Sequence, residues 1–121
     1  MPRILLVEDD ADVRLVMEHV LLDEGYGVDA SGSVTGGSEL LGSHDYDLVV
    51  ADGRLPDGTG MALADKAEKK GIPTLILTGY AFILRELAAE PTKYQVLLKP
   101  LRPAEILKAV ADALGATPAA R

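Results

Sequence analysis

Charged residues close three apolar runs of this chain. Leu5-Leu6-Val7 ends in Glu8 and Asp9, Leu48-Val49-Val50-Ala51 ends in Asp52, and Val96-Leu97-Leu98 ends in Lys99-Pro100. If the runs are parallel strands of one sheet, their carboxyl ends form a single edge and gather three carboxylates and one ammonium into a pocket. Such carboxylates repel one another and raise each other's pKa unless a cation intervenes, which makes a hard divalent ion the natural occupant. Mg²⁺ favours carboxylate and carbonyl oxygens, keeps several waters and commonly bridges to phosphate. Asp9 and Asp52 are read as direct ligands, with Glu8 acting through water. Asp52 can also attack phosphorus to give an acyl phosphate while the metal and Lys99 neutralise the transferred oxygens. Thr78 closes a further apolar run and is placed to donate its hydroxyl to one of those oxygens.

The elements that must position these residues follow from periodicity. Arg3 to Val7 reads as a buried strand. Val13, Val16, Met17, Val20 and Leu21 then repeat at helical spacing, which predicts an amphipathic helix with these residues on its core stripe, ending near Gly25. Asp10 suits the N-cap of that helix. Gly27 to Ala30 reads as a short edge strand, and Ser33 to Leu41 as a weak helix, because Gly36-Gly37 sit where good helix formers are wanted. Tyr46 to Ala51, Pro73 to Leu77 and Tyr94 to Leu98 supply three more strands. Gly60 to Lys70, Ala81 to Ala89 and a last segment striped by Ile106, Ala109, Val110, Ala113 and Leu114 supply three more helices. Five strands alternating with five helices predict an α/β fold with a parallel sheet.

Composition narrows the class. The 121 residues fit one domain, with 116–121 as a flexible C-terminal tail after a domain of 1–115. The chain has no cysteine, no leader pattern and no apolar run of membrane-spanning length, so a cytoplasmic location is expected. A formal charge of −7 argues against direct nucleic-acid binding and for protein partners. His19, on the outer side of the first helix, and His44, in a polar loop, read as surface residues.

The order Glu8-Asp9, Asp52, Thr78, Lys99-Pro100 on a five-fold β/α alternation resembles the receiver domain of bacterial response regulators over roughly residues 3 to 114. The loop Leu55-Pro56-Asp57-Gly58-Thr59-Gly60 is similar to the family's proline-and-glycine loop. The resemblance implies a flavodoxin-like fold with strand order 2-1-3-4-5. It implies that Asp52 accepts a phosphoryl group from a phosphohistidine on a sensor kinase or phosphotransfer protein, and that Glu8, Asp9, Asp52 and the backbone carbonyl of Arg54 hold Mg²⁺. It further implies that Lys99 pairs with the phosphoryl group across a cis Lys99-Pro100 peptide. Thr78 would move inward and bias the surface formed by the fourth helix, fifth strand and fifth helix, where an output protein docks. Such a domain is a switch, not an enzyme, since it assists only its own phosphorylation and dephosphorylation. It would act as a monomer or a phosphorylation-dependent dimer, stand-alone or within a longer protein.

Several positions depart from the family pattern. Val96 stands where an aromatic side chain commonly swings inward with the threonine, Gly53 replaces a larger apolar residue beside the acceptor, and the stretch from Asp52 to Thr78 is shorter than usual. Leu15 and Leu22 lie off the predicted core stripe and suit docking on a phosphodonor's helices. Two other readings bear on these residues. One is a degenerate receiver that binds proteins without phosphorylation; the other is a small aspartate-nucleophile phosphohydrolase, whose usual second acid two residues after the nucleophile is here Arg54. Arg54 and Tyr80 are expected to gate water at the pocket rim and so set how long the phosphoryl group survives. Arg54→Ala and Tyr80→Ala should each change the phosphate half-life, and unchanged half-lives in both would remove this role.

Overall fold

The computed structural model describes residues 1–79, 95–99 and 101–115. Its main sheet has five parallel strands: β1 (Arg3–Val7), β2 (Gly27–Ser31), β3 (Leu48–Asp52), β6 (Thr74–Thr78) and β7 (Gln95–Leu98). Their order is β2-β1-β3-β6-β7, which is the expected 2-1-3-4-5 arrangement. The numbering jumps because β4 (Arg54–Leu55) and β5 (Gly58–Thr59) form a separate two-stranded antiparallel ribbon within the proline-and-glycine loop. The described helices are α1 (Ala11–Asp23), α2 (Val34–Ser43), α3 (Gly60–Lys69) and α4 (Pro103–Gly115). The expected helix over Ala81 to Ala89, Tyr80, Pro100 with its peptide bond, and the tail 116–121 lie outside the described residues. Among the described residues no helix is long and apolar enough to cross a membrane.

The near-continuous apolar strands produce two cores, because alternate residues of a strand face opposite sides. Ile4 and Leu6 of β1 join Leu48, Val50, Met17, Leu21, Val110 and Leu114 on the face covered by α1 and α4. Leu5 and Val7 join Val49, Ala51, Leu41, Leu63 and Ala67 on the face covered by α2 and α3. Continuing that alternation past the strand ends places Glu8 and Asp52 on the α1/α4 side.

The first helix corrects one expectation. Met17 and Leu21 are buried as predicted, but Val13 and Val16 of the same stripe are 39% and 59% exposed. The N-terminal half of α1 stands over the carboxyl edge of the sheet, and Val13 and Val16 line an open cleft of about 400 Å³ against Leu101, Pro103 and Ile106. Helical spacing gives the side on which a residue lies, not how deeply that side is covered. Leu15 and Leu22 are exposed, as expected.

The glycines of α2 also have a physical reason. A Cβ on Gly37 would lie 2.9 Å from Val7 Cγ2 and 3.2 Å from Leu63 Cδ2, so glycine lets this helix seat directly on β1 and α3. Gly42 has nothing within 4 Å of its Cβ position. Gly42→Ala should therefore raise stability by about 0.5–1 kcal/mol through helix propensity, whereas Gly37→Ala should lower it by about 1–3 kcal/mol through overpacking. Urea denaturation reads both, and two shifts of the same sign would refute the contrast.

Candidate functional site

The carboxyl edge of the sheet assembles the predicted residues by register. β1 and β3 pair Val7 with Ala51, which sets Glu8 level with Asp52. β3 and β6 pair Asp52 with Leu77, and β6 and β7 pair Thr78 with Leu98. Lys99 follows β7 with its backbone N–H donating to the Thr78 carbonyl at 2.8 Å. From there its side chain reaches back over the edge, and Nζ donates to Glu8 Oε1 at 2.5 Å and to Asp52 Oδ2 at 3.1 Å. Glu8 and Asp52 are both buried, at 2% and 5% exposure, while Asp9 stands exposed at the rim.

Backbone donors fix the carboxylates further. The Asp10 amide donates to Glu8 Oε2 at 3.2 Å, and the Arg54 amide donates to Asp52 Oδ1 at 3.3 Å. Arg14 reaches back from α1 to donate from Nη1 to the Glu8 carbonyl at 2.7 Å, a contact the sequence did not signal. Asp10 caps α1, as expected, accepting from the amides of Asp12 and Val13 at 2.9 and 3.1 Å.

Behind Asp52, two glycines create close approaches. A Cβ on Gly60 would fall 2.3 Å from the Asp52 carbonyl oxygen, so α3 can begin directly behind the acidic residue only with glycine there. A Cβ on Gly53 would come within 3.2 Å of Thr78 Cβ, which accounts for the small residue beside Asp52. Thr78 itself is fully buried. His19 and His44 are exposed and away from this edge, and the His44 ring instead lies 3.0 Å from the Ser43 hydroxyl.

The pocket holds more negative charge than one ammonium balances. Burial, reinforced by Asp52, pushes the Glu8 carboxyl up to about 7 despite hydrogen bonds from Lys99 and the Asp10 amide. Burial also opposes the Lys99 ammonium, but its hydrogen bonds and charge pairing with Glu8 and Asp52 outweigh that and raise its pKa. A divalent cation would offset the remainder. Oxygens of Glu8, Asp9 and Asp52 lie within 4.8 Å of one another, near enough for one ion to be held among them. The donor set, all carboxylate oxygen, fits a hard divalent ion.

Residues 4–111 match the response regulator receiver domain. The chain belongs to that family. This receiver is 32% identical over 114 residues to the transcriptional regulatory protein GlrR of Escherichia coli, covering 92% of this chain and 26% of that protein. It is 41% identical over 81 residues to PmrA of Pectobacterium parmentieri, covering 63% of this chain and 35% of that protein. The receiver thus spans only about a third or less of these relatives' length. Among solved structures, a response regulator receiver protein from Sinorhizobium medicae superposes with a TM-score of 0.86 at 30% identity, covering 96% of both chains. TrrA of Thermotoga maritima, in complex with Mg²⁺-BeF, superposes with a TM-score of 0.81 at 26% identity, covering 93% of this chain and 99% of that one. The receiver is accordingly a module of two-component response regulators.

The raised Glu8 pKa has a signed consequence for stability. Its contribution is complete below the ordinary glutamate value of about 4.3 and is lost as pH rises through about 7, because the folded state resists ionising this acid. In metal-free buffer the wild type should lose more stability than Glu8→Gln between about pH 5 and about pH 8. At the upper pH, Mg²⁺ should restore the wild type more than the variant. Parallel urea midpoints for the two proteins across that range would contradict the assignment.

Proposed function

We propose that this receiver accepts a phosphoryl group on Asp52 from a phosphohistidine of a sensor kinase or histidine phosphotransfer protein, in a Mg²⁺-dependent reaction that switches a protein-binding surface. The observation that carries the reading is the shared ammonium: Lys99 Nζ sits 3.1 Å from Asp52 Oδ2 and 2.5 Å from Glu8 Oε1. Asp9 completes the cluster at the rim. Asp9, Asp52 and the Arg54 carbonyl would hold the metal, with Glu8 beside them directly or through water. When bound, the ion neutralises phosphoryl oxygens and screens the carboxylates from one another.

The chain's own groups perform the rest. An Asp52 carboxylate oxygen attacks phosphorus, an O–P bond forms, the P–N bond to the donor histidine breaks, and its electron pair returns to the imidazole. Lys99 is already oriented toward Asp52, so it can turn from Glu8 to the transferred oxygens without a long excursion. Hydrolysis reverses the acyl phosphate with water as nucleophile, and Arg54, exposed two residues after Asp52, stands at its entrance.

Thr78, buried at the end of β6, is the side chain that would draw toward the phosphoryl group. Because the Lys99 amide bonds the Thr78 carbonyl, a shift at Thr78 passes to β7 and the start of α4. Val96 of β7 is half-buried and lacks the ring that commonly follows the threonine, so this chain would signal through aliphatic repacking. Leu15 and Leu22 are 55% and 46% exposed on α1 and supply apolar contacts for a donor protein's helices.

Acetyl phosphate with Mg²⁺ should add roughly 80 Da to the intact protein, and Asp52→Asn should abolish the adduct. In the same assay Leu15→Asp should label normally from acetyl phosphate but slowly from a phosphohistidine phosphotransfer protein. An absent adduct, or one that survives Asp52→Asn, would overturn the mechanism, and undiminished protein-to-protein transfer in Leu15→Asp would remove α1 as the docking helix.

A further inference from the structure

Helix α2 has little reason of its own to be a helix. Three of its ten residues are glycines, Gly36, Gly37 and Gly42, each unfavourable by about 1 kcal/mol relative to alanine. Beyond the packing of Leu41 and Gly37 against the core, both of its ends are held by residues flanking α3. At its C-terminal end, Lys70 Nζ donates to the Leu41 carbonyl at 2.5 Å and to the His44 carbonyl at 3.4 Å. At its N-terminal end the orphan amides are divided between two acceptors. Ser33 takes the Gly36 amide at 3.0 Å. Asp57 takes the other two: Oδ1 accepts from Val34 N–H at 2.7 Å, and Oδ2 accepts from Thr35 N–H at 2.9 Å and from the Thr35 hydroxyl at 2.7 Å.

Asp57 occupies the tip of the β4/β5 ribbon. The base of that ribbon is Arg54 paired with Thr59, and the Arg54 amide contacts Asp52 Oδ1. The Gly53 amide is tied to the Leu77 carbonyl at 2.7 Å, and the Gly60 amide to the Gly53 carbonyl at 3.3 Å, so the ribbon is fixed at its root and has one side-chain anchor at its tip. A short covalent and hydrogen-bonded path therefore runs from the Asp52 carboxylate, through Arg54, to the first turn of α2. The Thr35 hydroxyl first, and then the two amides, hold the Asp57 carboxyl down to about 2, so this anchor stays ionised throughout the neutral range.

We propose that Asp57 is a latch through which the loop at the phosphoryl and metal pocket orders the first turn of α2, making that turn a second element that responds to the state of Asp52. The inference rests on the function proposed above. Metal ligation or phosphorylation draws on the Arg54 segment, the ribbon moves as a unit, and the Asp57 side chain that holds the Val34 and Thr35 amides moves with it. The response appears at α2, on the opposite side of the sheet from α1 and α4.

Amide hydrogen exchange at Val34 and Thr35, read by NMR, tests this directly, since the first amides of a helix have no intrahelical partner and report on their cap. In the wild type, Mg²⁺ alone and Mg²⁺ with acetyl phosphate should each slow exchange at these two amides several-fold. Asp57→Ala should abolish that response while Mg²⁺ binding, followed by calorimetry on the same sample, and the Asp52 adduct persist. Asp57→Asn, which keeps one acceptor oxygen, should restore part of it. Lys70→Ala should loosen the other end of α2 and leave the response intact, which separates a latch from general helix stabilisation. Mg²⁺ binding with unmoved Val34 and Thr35 exchange, or a full response in Asp57→Ala, would overturn the latch alone. Failure to bind Mg²⁺ at all would overturn the functional reading together with it.

Discussion

Glu8 and Asp52 end neighbouring strands on the same face of the sheet and are both withdrawn from water, so their repulsion must be met inside the protein. Lys99 meets part of it from two strands away, with its backbone pinned to Thr78 and its ammonium shared between the two carboxylates. Removing one partner of such a buried cluster leaves an uncompensated charge, typically at a cost of several kcal/mol. The sheet register, the glycine behind Asp52 and the cap on α1 all follow from the need to bring these groups to one edge. The charge that remains after Lys99 has paired is one that a cation held by Glu8, Asp9 and Asp52 would offset.

That arrangement gives Lys99 two roles that compete. Its contact with Glu8 stabilises the pocket as it stands, and its contact with Asp52 would point it toward a group transferred there. A phosphoryl group on Asp52 would tilt the competition, since a dianion attracts the ammonium more strongly than a carboxylate does. Thr78 lies between the two strands involved, with its side chain packed against the space left by Gly53. The Lys99 backbone is in turn bonded to the Thr78 carbonyl, which ties the pocket to β6 and β7. The ribbon from Arg54 to Thr59 links the same loop to α2, a helix with weak intrinsic propensity whose ends are both held from outside.

Two tendencies of the chain explain why these parts can move without the fold failing. The strands β1, β3 and β6 are buried almost throughout and anchor two apolar cores. The ends of the peripheral helices are held by capping and charge: those of α2 by Asp57 and Lys70, and the entrance to α1 by Asp10 and Arg14. Capping bonds at solvent-exposed positions open more readily than packed aliphatic contacts, so local opening is expected there first.

The sequence by itself determined the class of fold and which ionisable residues gather at the sheet edge. Buried parallel strands demand near-continuous apolar runs, and an ionisable residue that ends such a run must emerge at the sheet edge; both facts are visible in one dimension. Glu8, Asp9, Asp52, Thr78 and Lys99 could therefore be named before any coordinates. Tertiary structure alone decided what depends on distance between segments remote in the chain. It chose Glu8 as the principal partner of Lys99, left Val13 and Val16 in an open cleft, and turned the proline-and-glycine loop into a ribbon whose Asp57 caps a helix more than twenty residues upstream. It also converted Gly37 from a helix breaker into a packing requirement. Propensity and periodicity describe a residue's preference within its own segment. The side chains that meet, and how deeply each is covered, are fixed only when the segments pack.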